Sequence, residues 1–170
     1  TCGIGTDDVT YCWGDNAAGQ TSDAIWNGTS GTRSRKQPQP IVDLVGTASL
    51  VKSGMDALYT CAITGTGNVE CWGTDFTGVH TDPYTVSGIS TAVDIAVAEN
   101  HTCAALSDGT VQCWGSNASG QLGDGTTTNS GVPVTVSGIT TASVVYTYDD
   151  YTCAGLTDGT YTCWGSKAGW

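Results

Sequence analysis

One pattern occurs four times in this 170-residue sequence: a Thr-Cys pair, nine further residues, and then Cys-Trp-Gly. The copies read TCGIGTDDVTYCWG from Thr1, TCAITGTGNVECWG from Thr60, TCAALSDGTVQCWG from Thr102 and TCAGLTDGTYTCWG from Thr152. A motif that returns every few tens of residues indicates a repeat architecture, in which each copy belongs to one supersecondary unit.

The spacing within each copy predicts a β-hairpin. If Cys103 and Cys113 lie opposite each other on two antiparallel strands, a three-residue loop, Ser107 to Gly109, joins the strands. The third residue of such a loop adopts the left-handed conformation that favours glycine. Three copies have glycine at this position, and the first copy has Asp8. The turn chemistry therefore agrees with the register that places the cysteines opposite each other.

This register also predicts disulfides. Counting outward from the loop places the cysteines at a non-hydrogen-bonded pair, where antiparallel strands come closest. Zinc sites use cysteines that are about two to four residues apart, so the spacing argues against metal. Paired cysteines indicate an oxidising compartment, and we expect a secreted or cell-surface protein. The expected bridges are Cys2–Cys12, Cys61–Cys71, Cys103–Cys113 and Cys153–Cys163.

A tryptophan follows the second cysteine of every copy. Side chains alternate between the two faces of a strand, so each tryptophan faces away from the neighbouring disulfide. A tryptophan that recurs once per unit is typical of packing between units. We therefore predict inter-unit packing for Trp13, Trp72, Trp114 and Trp164.

The connectors between the hairpins contain further strands. The third connector has a proline-bounded strand, Pro133 to Val136, and an apolar strand, Ala142 to Tyr146. The second connector repeats this order, so each unit is expected to be two strands followed by the stapled hairpin. Four strands per unit at this period indicate a β-propeller. The prediction is one all-β domain over 1–170, with hairpins near 1–14, 60–73, 102–115 and 152–165 and an insertion at 21–40.

Residues 101–139, HTCAALSDGTVQCWGSNASGQLGDGTTTNSGVPVTVSGI, resemble the repeat of the regulator-of-chromosome-condensation propeller family, and most closely its secreted bacterial version with cysteines. The resemblance implies four-stranded antiparallel blades around an axis, usually seven in a closed ring. Four hairpins and three connectors would then form a partial ring of about four blades.

Charge and hydropathy exclude several classes of partner. The formal net charge is −11, which argues against nucleic acid because phosphates require lysine and arginine. No run of about 18 apolar residues is present, so we expect no membrane insertion.

Residues suited to catalysis are sparse. His80 and His101 are the only histidines, and His101 occupies a position that is tyrosine in two other units, which favours a structural role. The acidic pairs Asp7-Asp8 and Asp149-Asp150 lack the spacing of a calcium loop. We predict no catalytic, cofactor or metal residues and expect that the protein is not an enzyme.

The leading hypothesis is a non-catalytic extracellular assembly module that associates with itself in a ring or filament. Its partners would be other copies of the chain or the remainder of a longer propeller. Candidate contacts are Trp26, Arg33, Arg35, Lys36 and Trp170.

Two alternatives remain open. The first is a secreted protein-binding or inhibitor-type propeller, which the family resemblance suggests, with Trp26, Tyr84, Tyr146 or Tyr148 as anchors. The second is a carbohydrate-binding or carbohydrate-acting protein.

Overall fold

The structure is a computed structural model that describes residues 1–21, 35–41, 43–54 and 57–166. All regular secondary structure within these ranges is β-strand. Accordingly, the described residues include no helix that is long and apolar enough to cross a membrane.

Fourteen strands form four antiparallel sheets, which we number in chain order. Sheet 1 contains β1 (Cys2–Ile4), β2 (Thr10–Gly14) and β3 (Arg35–Pro40), and sheet 2 contains β4 (Ala48–Ser53), β5 (Tyr59–Thr64), β6 (Asn68–Asp75) and β7 (Gly78–Thr85). Sheet 3 contains β8 (Ala92–Val97), β9 (His101–Leu106), β10 (Val111–Gly115) and β11 (Ser130–Thr135). Sheet 4 contains β12 (Ala142–Tyr148), β13 (Tyr151–Leu156) and β14 (Tyr161–Gly165). Consecutive strands are neighbours in every sheet.

The grouping of strands differs from the expected one. The proline-containing strand β11 spans Ser130–Thr135 and pairs with β10 of the preceding hairpin, not with β12. A complete sheet is therefore one strand before the hairpin, the hairpin, and one strand after it. The missing N–H of Pro133 suits this position, because β11 forms the outer edge of sheet 3. Sheets 2 and 3 have four strands, whereas the described residues give sheets 1 and 4 only three.

The missing strand is different at the two ends of the array. Within the described ranges, sheet 1 has no counterpart of β4, β8 and β12, the strands that precede a hairpin. Sheet 4 has no counterpart of β3, β7 and β11, the strands that follow one. We call these the inner and outer strands, because β8 packs against both β4 and β12 on one side of the array.

The predicted hairpin register and disulfides are confirmed. Cys103 lies opposite Cys113 with their Cα atoms 4.1 Å apart, and all four bridges join the expected partners. In the third hairpin the Leu106 N–H donates to the Thr110 carbonyl at 2.9 Å, which closes the three-residue loop. Asp8 has a φ of 62°, so it takes the left-handed position that glycine occupies in the other hairpins.

The apolar core lies between successive sheets. One cluster joins the hairpin of sheet 2, including Cys61 and Val69, to Ile95 and Trp114 of sheet 3. A second cluster joins sheets 3 and 4, and a third joins sheets 1 and 2. Each sheet thus stabilises its neighbours by face-to-face packing.

The predicted insertion at 21–40 is only partly described. Residues 35–40 within it form β3, which pairs with β2. Residues 22–34 lie outside the described ranges. The extent of the domain over 1–170 stays a prediction.

Candidate protein interface at the terminal sheets

The two faces of each hairpin contact different neighbours. Trp72 is fully buried and shares a cluster with Cys12 and Ile41 of the preceding sheet. Trp114 is 4% exposed and shares a cluster with Cys61 of the preceding sheet. The tryptophan therefore lies against the preceding sheet and the disulfide against the following one, as strand alternation requires.

Two loops stabilise the packing between neighbouring sheets by accepting hydrogen bonds. In sheet 3 the loop Asn-Ala-Ser-Gly-Gln ends at Gln121, whose backbone carbonyl accepts bonds from Thr152 Oγ1 and Trp164 Nε1 of sheet 4, each at 2.9 Å. The loop Asn-Ala-Ala-Gly-Gln of sheet 1 does the same, because the Gln20 carbonyl accepts the equivalent two bonds from sheet 2 at 3.0 and 3.1 Å. We call these two segments the glutamine loops.

Asn117 holds the second glutamine loop in shape. Its side chain is fully buried, its Oδ1 accepts the Leu122 N–H at 2.9 Å, and its Nδ2 donates to the carbonyls of Thr126 and Thr128 at 3.1 Å. Asn117 begins an Asn-x-Ser sequon, and this burial makes the side chain inaccessible to glycosylation in the folded chain.

The junction between sheets 2 and 3 lacks a glutamine loop, because only two residues separate β6 from β7. Here the Tyr59 hydroxyl and Thr102 Oγ1 lie 2.6 Å apart. Burial raises the pKa of Tyr59, so the phenol stays protonated and able to donate. Tyr59 and the buried Trp114 thus contribute to this junction without a glutamine loop, together with the apolar residues of their core cluster.

His101 takes the place of that tyrosine at the junction between sheets 3 and 4. Its Nε2 lies 2.9 Å from Thr152 Oγ1. Because the single hydroxyl proton of Thr152 goes to the Gln121 carbonyl, Nε2 must donate and Nδ1 must carry the lone pair. Nδ1 is buried with no hydrogen-bond partner, and burial lowers the pKa of His101 to about 4.

The outer face of sheet 4 exposes positions that are buried in the other sheets. Tyr161 is 65% exposed, whereas Val69 and Val111 at the same repeat position are fully buried. Cys163 is exposed, although Cys71 and its other counterparts are fully buried. Tyr146 extends this patch, since its ring lies 6.4 Å from that of Tyr161 and is 53% exposed. We call this surface the tyrosine face.

The opposite face of sheet 1 is also less covered than its counterparts. Trp13 is only partly buried, whereas Trp72 and Trp114 at the same repeat position are buried. The Trp13 N–H donates to the Thr1 carbonyl at 2.8 Å, so Thr1 and Trp13 lie side by side as the equivalent threonines and tryptophans do elsewhere. We call this surface the tryptophan face.

Family comparison identifies the repeat. Two descriptions of the regulator of chromosome condensation (RCC1) repeat match the chain, at residues 92–121 and 108–147. The matched segment, residues 92–147, is thus similar to RCC1-type propeller repeats. No curated protein has a sequence that matches it.

RCC1-type propellers are also among its structural relatives. The chain is similar to yeast RCC1 (Prp20) in its crystal structure with Kap60, with a TM-score of 0.76, 19% identity, and coverage of 96% of this chain and 41% of that one. It is similar to human WBSCR16, with a TM-score of 0.75, 18% identity and coverage of 92% and 44%. The CRINKLY ectodomain of the Arabidopsis thaliana receptor kinase ACR4 aligns with a TM-score of 0.55 and 18% identity over 99% of this chain and 48% of that one. The predicted all-β propeller-type fold is thereby confirmed as a partial, open array, and the chain spans less than half the length of these relatives.

The residues predicted for partner contact are mostly not described. Trp26, Arg33 and Trp170 lie outside the described ranges. Arg35 and Lys36 begin β3, where Arg35 is opposite Gly14 and Lys36 is exposed.

His80 lies beside Thr77 and Asp75, but this arrangement does not activate the Thr77 hydroxyl as a nucleophile. The Thr77 hydroxyl donates to Asp75 Oδ1 at 2.7 Å and lies 2.9 Å from His80 Nε2. Its single proton is therefore not available to the imidazole. Tyr84 donates its hydroxyl to Asp75 Oδ2, and burial raises its pKa, so this predicted anchor is already engaged.

One residue of each acidic pair accepts a side-chain hydrogen bond. Asp7 accepts the Tyr11 hydroxyl at 2.7 Å, and Asp150 accepts Gln121 Nε2 at 3.2 Å. Among the described residues, no three histidine, cysteine or acidic side chains come together as a metal site would require.

Sequence reasoning missed the glutamine loops and Tyr161. The signal for the loops was present, since Asn-Ala-x-Gly-Gln occurs twice at the same distance after a Trp-Gly. The signal for Tyr161 was a bulky aromatic residue at a position that is valine in the second and third copies.

Proposed function

We propose that this chain is a non-catalytic assembly module in which the tyrosine face of one copy packs against the tryptophan face of the next. The observation that carries the proposal is the exposure of Tyr161 at a repeat position that is buried at every internal junction. Large exposed aromatic surfaces on a soluble protein mark interaction sites.

The tyrosine face and the tryptophan face contain the same residue types that meet at the junction between sheets 2 and 3. Sheet 4 has Tyr151 at the position of Tyr59, the residue that joins sheets 2 and 3 without a glutamine loop. Sheet 1 has Thr1 and Trp13 at the positions of the threonine and tryptophan that bind at that junction. The junction between sheets 2 and 3 is therefore the template for the contact between copies.

A contact between two different faces is heterologous. Such contacts generate a closed ring when the rotation per subunit closes, and a filament when it does not. The polar rim of this contact would include Lys36, a basic side chain that is exposed on β3 in a chain of net charge −11.

The cellular location is part of the proposal. Four disulfides are consistent with an oxidising environment. We infer a secreted or cell-surface protein.

A second candidate is binding of a different protein. RCC1-type propeller repeats suggest a protein-binding module, and yeast RCC1 (Prp20) binds Kap60, Gsp1p and histones. Tyr146 and Tyr148, which are 53% and 48% exposed, favour this inhibitor-type alternative over carbohydrate recognition, because tyrosine is enriched at protein interfaces.

The test is the molar mass of the natural chain over a range of concentrations, measured by light scattering. We expect masses above the 17.4 kDa of one chain that increase with concentration. Tyr161→Arg should return the protein to a single-chain mass, because a charge at the buried centre of the contact is unpaired.

Val132→Arg provides the matched control. Val132 is 63% exposed on β11, away from both terminal faces, and this variant should associate like the natural chain. A plateau in mass would indicate a ring, and continued growth would indicate a filament. A monodisperse 17.4 kDa species at all concentrations would overturn self-association and leave binding of a different protein as the remaining candidate.

A further inference from the structure

Among the described strands, none pairs with the outer edge of β14 in sheet 4. Thr162 of β14 pairs with Ala154 of β13, and Tyr161 and Cys163 lie at the non-hydrogen-bonded positions of that pairing. The N–H and C=O groups of Tyr161 and Cys163 therefore point away from β13, toward the edge. No described strand pairs with them.

The other three sheets show what covers this edge. Their outer strands place the same kind of segment in the same register: Gln39, Tyr84 and Val134 lie opposite the second cysteine of their hairpins. A proline precedes each of these residues, at Pro38, Pro83 and Pro133.

The residue two positions further on is always a buried Ile or Val. The Val136 N–H donates to the Val111 carbonyl at 2.9 Å, and the side chain of Val136 is 3% exposed. Ile41 and Val86 make the equivalent bonds at 2.7 and 2.8 Å. In sheets 2 and 3 the segments continue identically as Thr-Val-Ser-Gly-Ile, and both isoleucines are buried, at 3% and 7% exposure.

The edge of β14 is also chemically unprotected. The sequence has four prolines, and all of them lie in β3, β7 and β11, where the missing N–H blocks further strand pairing. β14 contains none. An edge with outward backbone groups and no proline is a template for strand addition.

We propose that the β14 edge binds an extended segment of a separate polypeptide by strand addition, and that it selects the pattern Pro-x-Thr-Val-x-Gly-Ile. The residue after the proline lies opposite Cys163, and the valine N–H donates to the Tyr161 carbonyl. The valine and isoleucine side chains pack against the ring of Tyr161, which lies beside Gly155. This site is a strand edge and does not depend on association between the terminal faces.

The probe is a labelled, end-blocked peptide of the chain's own residues 130–139, Ser-Gly-Val-Pro-Val-Thr-Val-Ser-Gly-Ile, titrated into the intact disulfide-bonded protein. We expect saturable binding of one peptide per chain by fluorescence anisotropy. A peptide N-methylated at the second valine after the proline should bind at least tenfold more weakly, because it cannot donate to the Tyr161 carbonyl. A scrambled peptide should not bind.

Two readouts on the protein locate the site. Bound peptide should slow hydrogen exchange at the amides of Tyr161 and Cys163 in NMR spectra and leave Thr162, which already faces β13, unchanged. Tyr161→Pro removes an outward N–H and no bond to β13, so it should keep the fold and weaken peptide binding at least tenfold. Tyr161→Ala keeps the backbone groups of the edge but removes the ring, so it should bind more weakly than the natural chain and more tightly than Tyr161→Pro.

Three results would overturn the proposal: no binding at millimolar peptide, equal binding of the N-methylated peptide, or protection of amides outside β14. Self-association failing in light scattering would leave this proposal intact. Peptide binding by a chain that stays monomeric would support strand addition and contradict self-association.

Discussion

Glycine at the third turn position serves two purposes, and the four hairpins separate them. Gly109 and Gly159 have nearly the same φ, 83° and 87°. A Cβ on Gly109 would collide with the Thr140 carbonyl of the next sheet, whereas a Cβ on Gly159 would meet nothing within 4 Å. The turn geometry is therefore common to both, whereas the close approach of a following segment occurs at Gly109, as it does at Gly67, and not at Gly159.

This difference predicts unequal costs for the same substitution. Gly159→Ala should lower the free energy of unfolding by about 1–2 kcal/mol, the cost of an L-residue in the left-handed region. Gly109→Ala should cost about 1–3 kcal/mol more, because the junction must also shift to admit the methyl group. Urea unfolding of the two variants measures the difference. Equal costs would mean that sheet 4 does not press on the third hairpin turn.

At the scale of the strand, the cysteine spacing was sufficient to predict the hairpins. Register, disulfide partners and the left-handed turn residue all follow from contacts within about ten residues. The assignment of the strand at Pro133 was wrong because its partner depends on a long loop, and nothing local distinguishes pairing with β10 from pairing with β12. Local chemistry predicts elements, whereas sheet membership depends on where a connector leads.

The same limit applies to the interface. The alternation that turns a tryptophan away from its disulfide could be deduced from strand geometry alone. That Gln121 reaches the next sheet could not, because its contact uses a backbone carbonyl that every residue has. Side-chain identity reports burial and charge, but it does not report which carbonyl a loop presents.

The element scale carries a prediction about tryptophan. Trp114 has no glutamine loop above it and is 4% exposed, so Trp114→Ala should remove packing alone and cost about 3–5 kcal/mol. Trp13 is only partly buried, so Trp13→Ala should cost clearly less in dilute protein. Denaturant unfolding with the disulfides intact measures both.

The outcome has a direct bearing on the proposed contact. A cost for Trp114→Ala below about 1 kcal/mol would make this tryptophan a surface feature and would remove the template for association between copies. A cost for Trp13→Ala that grows with protein concentration would instead show that another copy covers the tryptophan face, because association stabilises the folded chain by mass action.

For the whole molecule, stability depends on contacts between sheets, since every core cluster joins residues of two neighbouring sheets. The array therefore behaves as a row of coupled units, and its stability depends on the interface at each internal junction. The junction between sheets 3 and 4 contains a histidine, His101, with an unpartnered ring nitrogen.

His101 predicts how the stability of the molecule responds to acid. Its pKa is about 4 in the folded chain, lowered by burial against a smaller opposing effect of Asp150, and 6.5 when unfolded. Below pH 6.5 the imidazole therefore binds a proton in the unfolded chain but not in the folded chain. The free energy of unfolding is highest above pH 6.5 and decreases by about 3 kcal/mol as the pH falls to about 4. The turn carboxylates of Asp108 and Asp158, whose pKa values are held below 3.8 by hydrogen bonds from threonines, lose their contribution only at lower pH.

His101→Tyr is the matched variant, because Tyr59 makes the equivalent bond one junction earlier. Urea unfolding from pH 4 to 7 should give a steep pH dependence for the natural chain and a nearly flat one for the variant; the same slope in both would exclude His101 as its source.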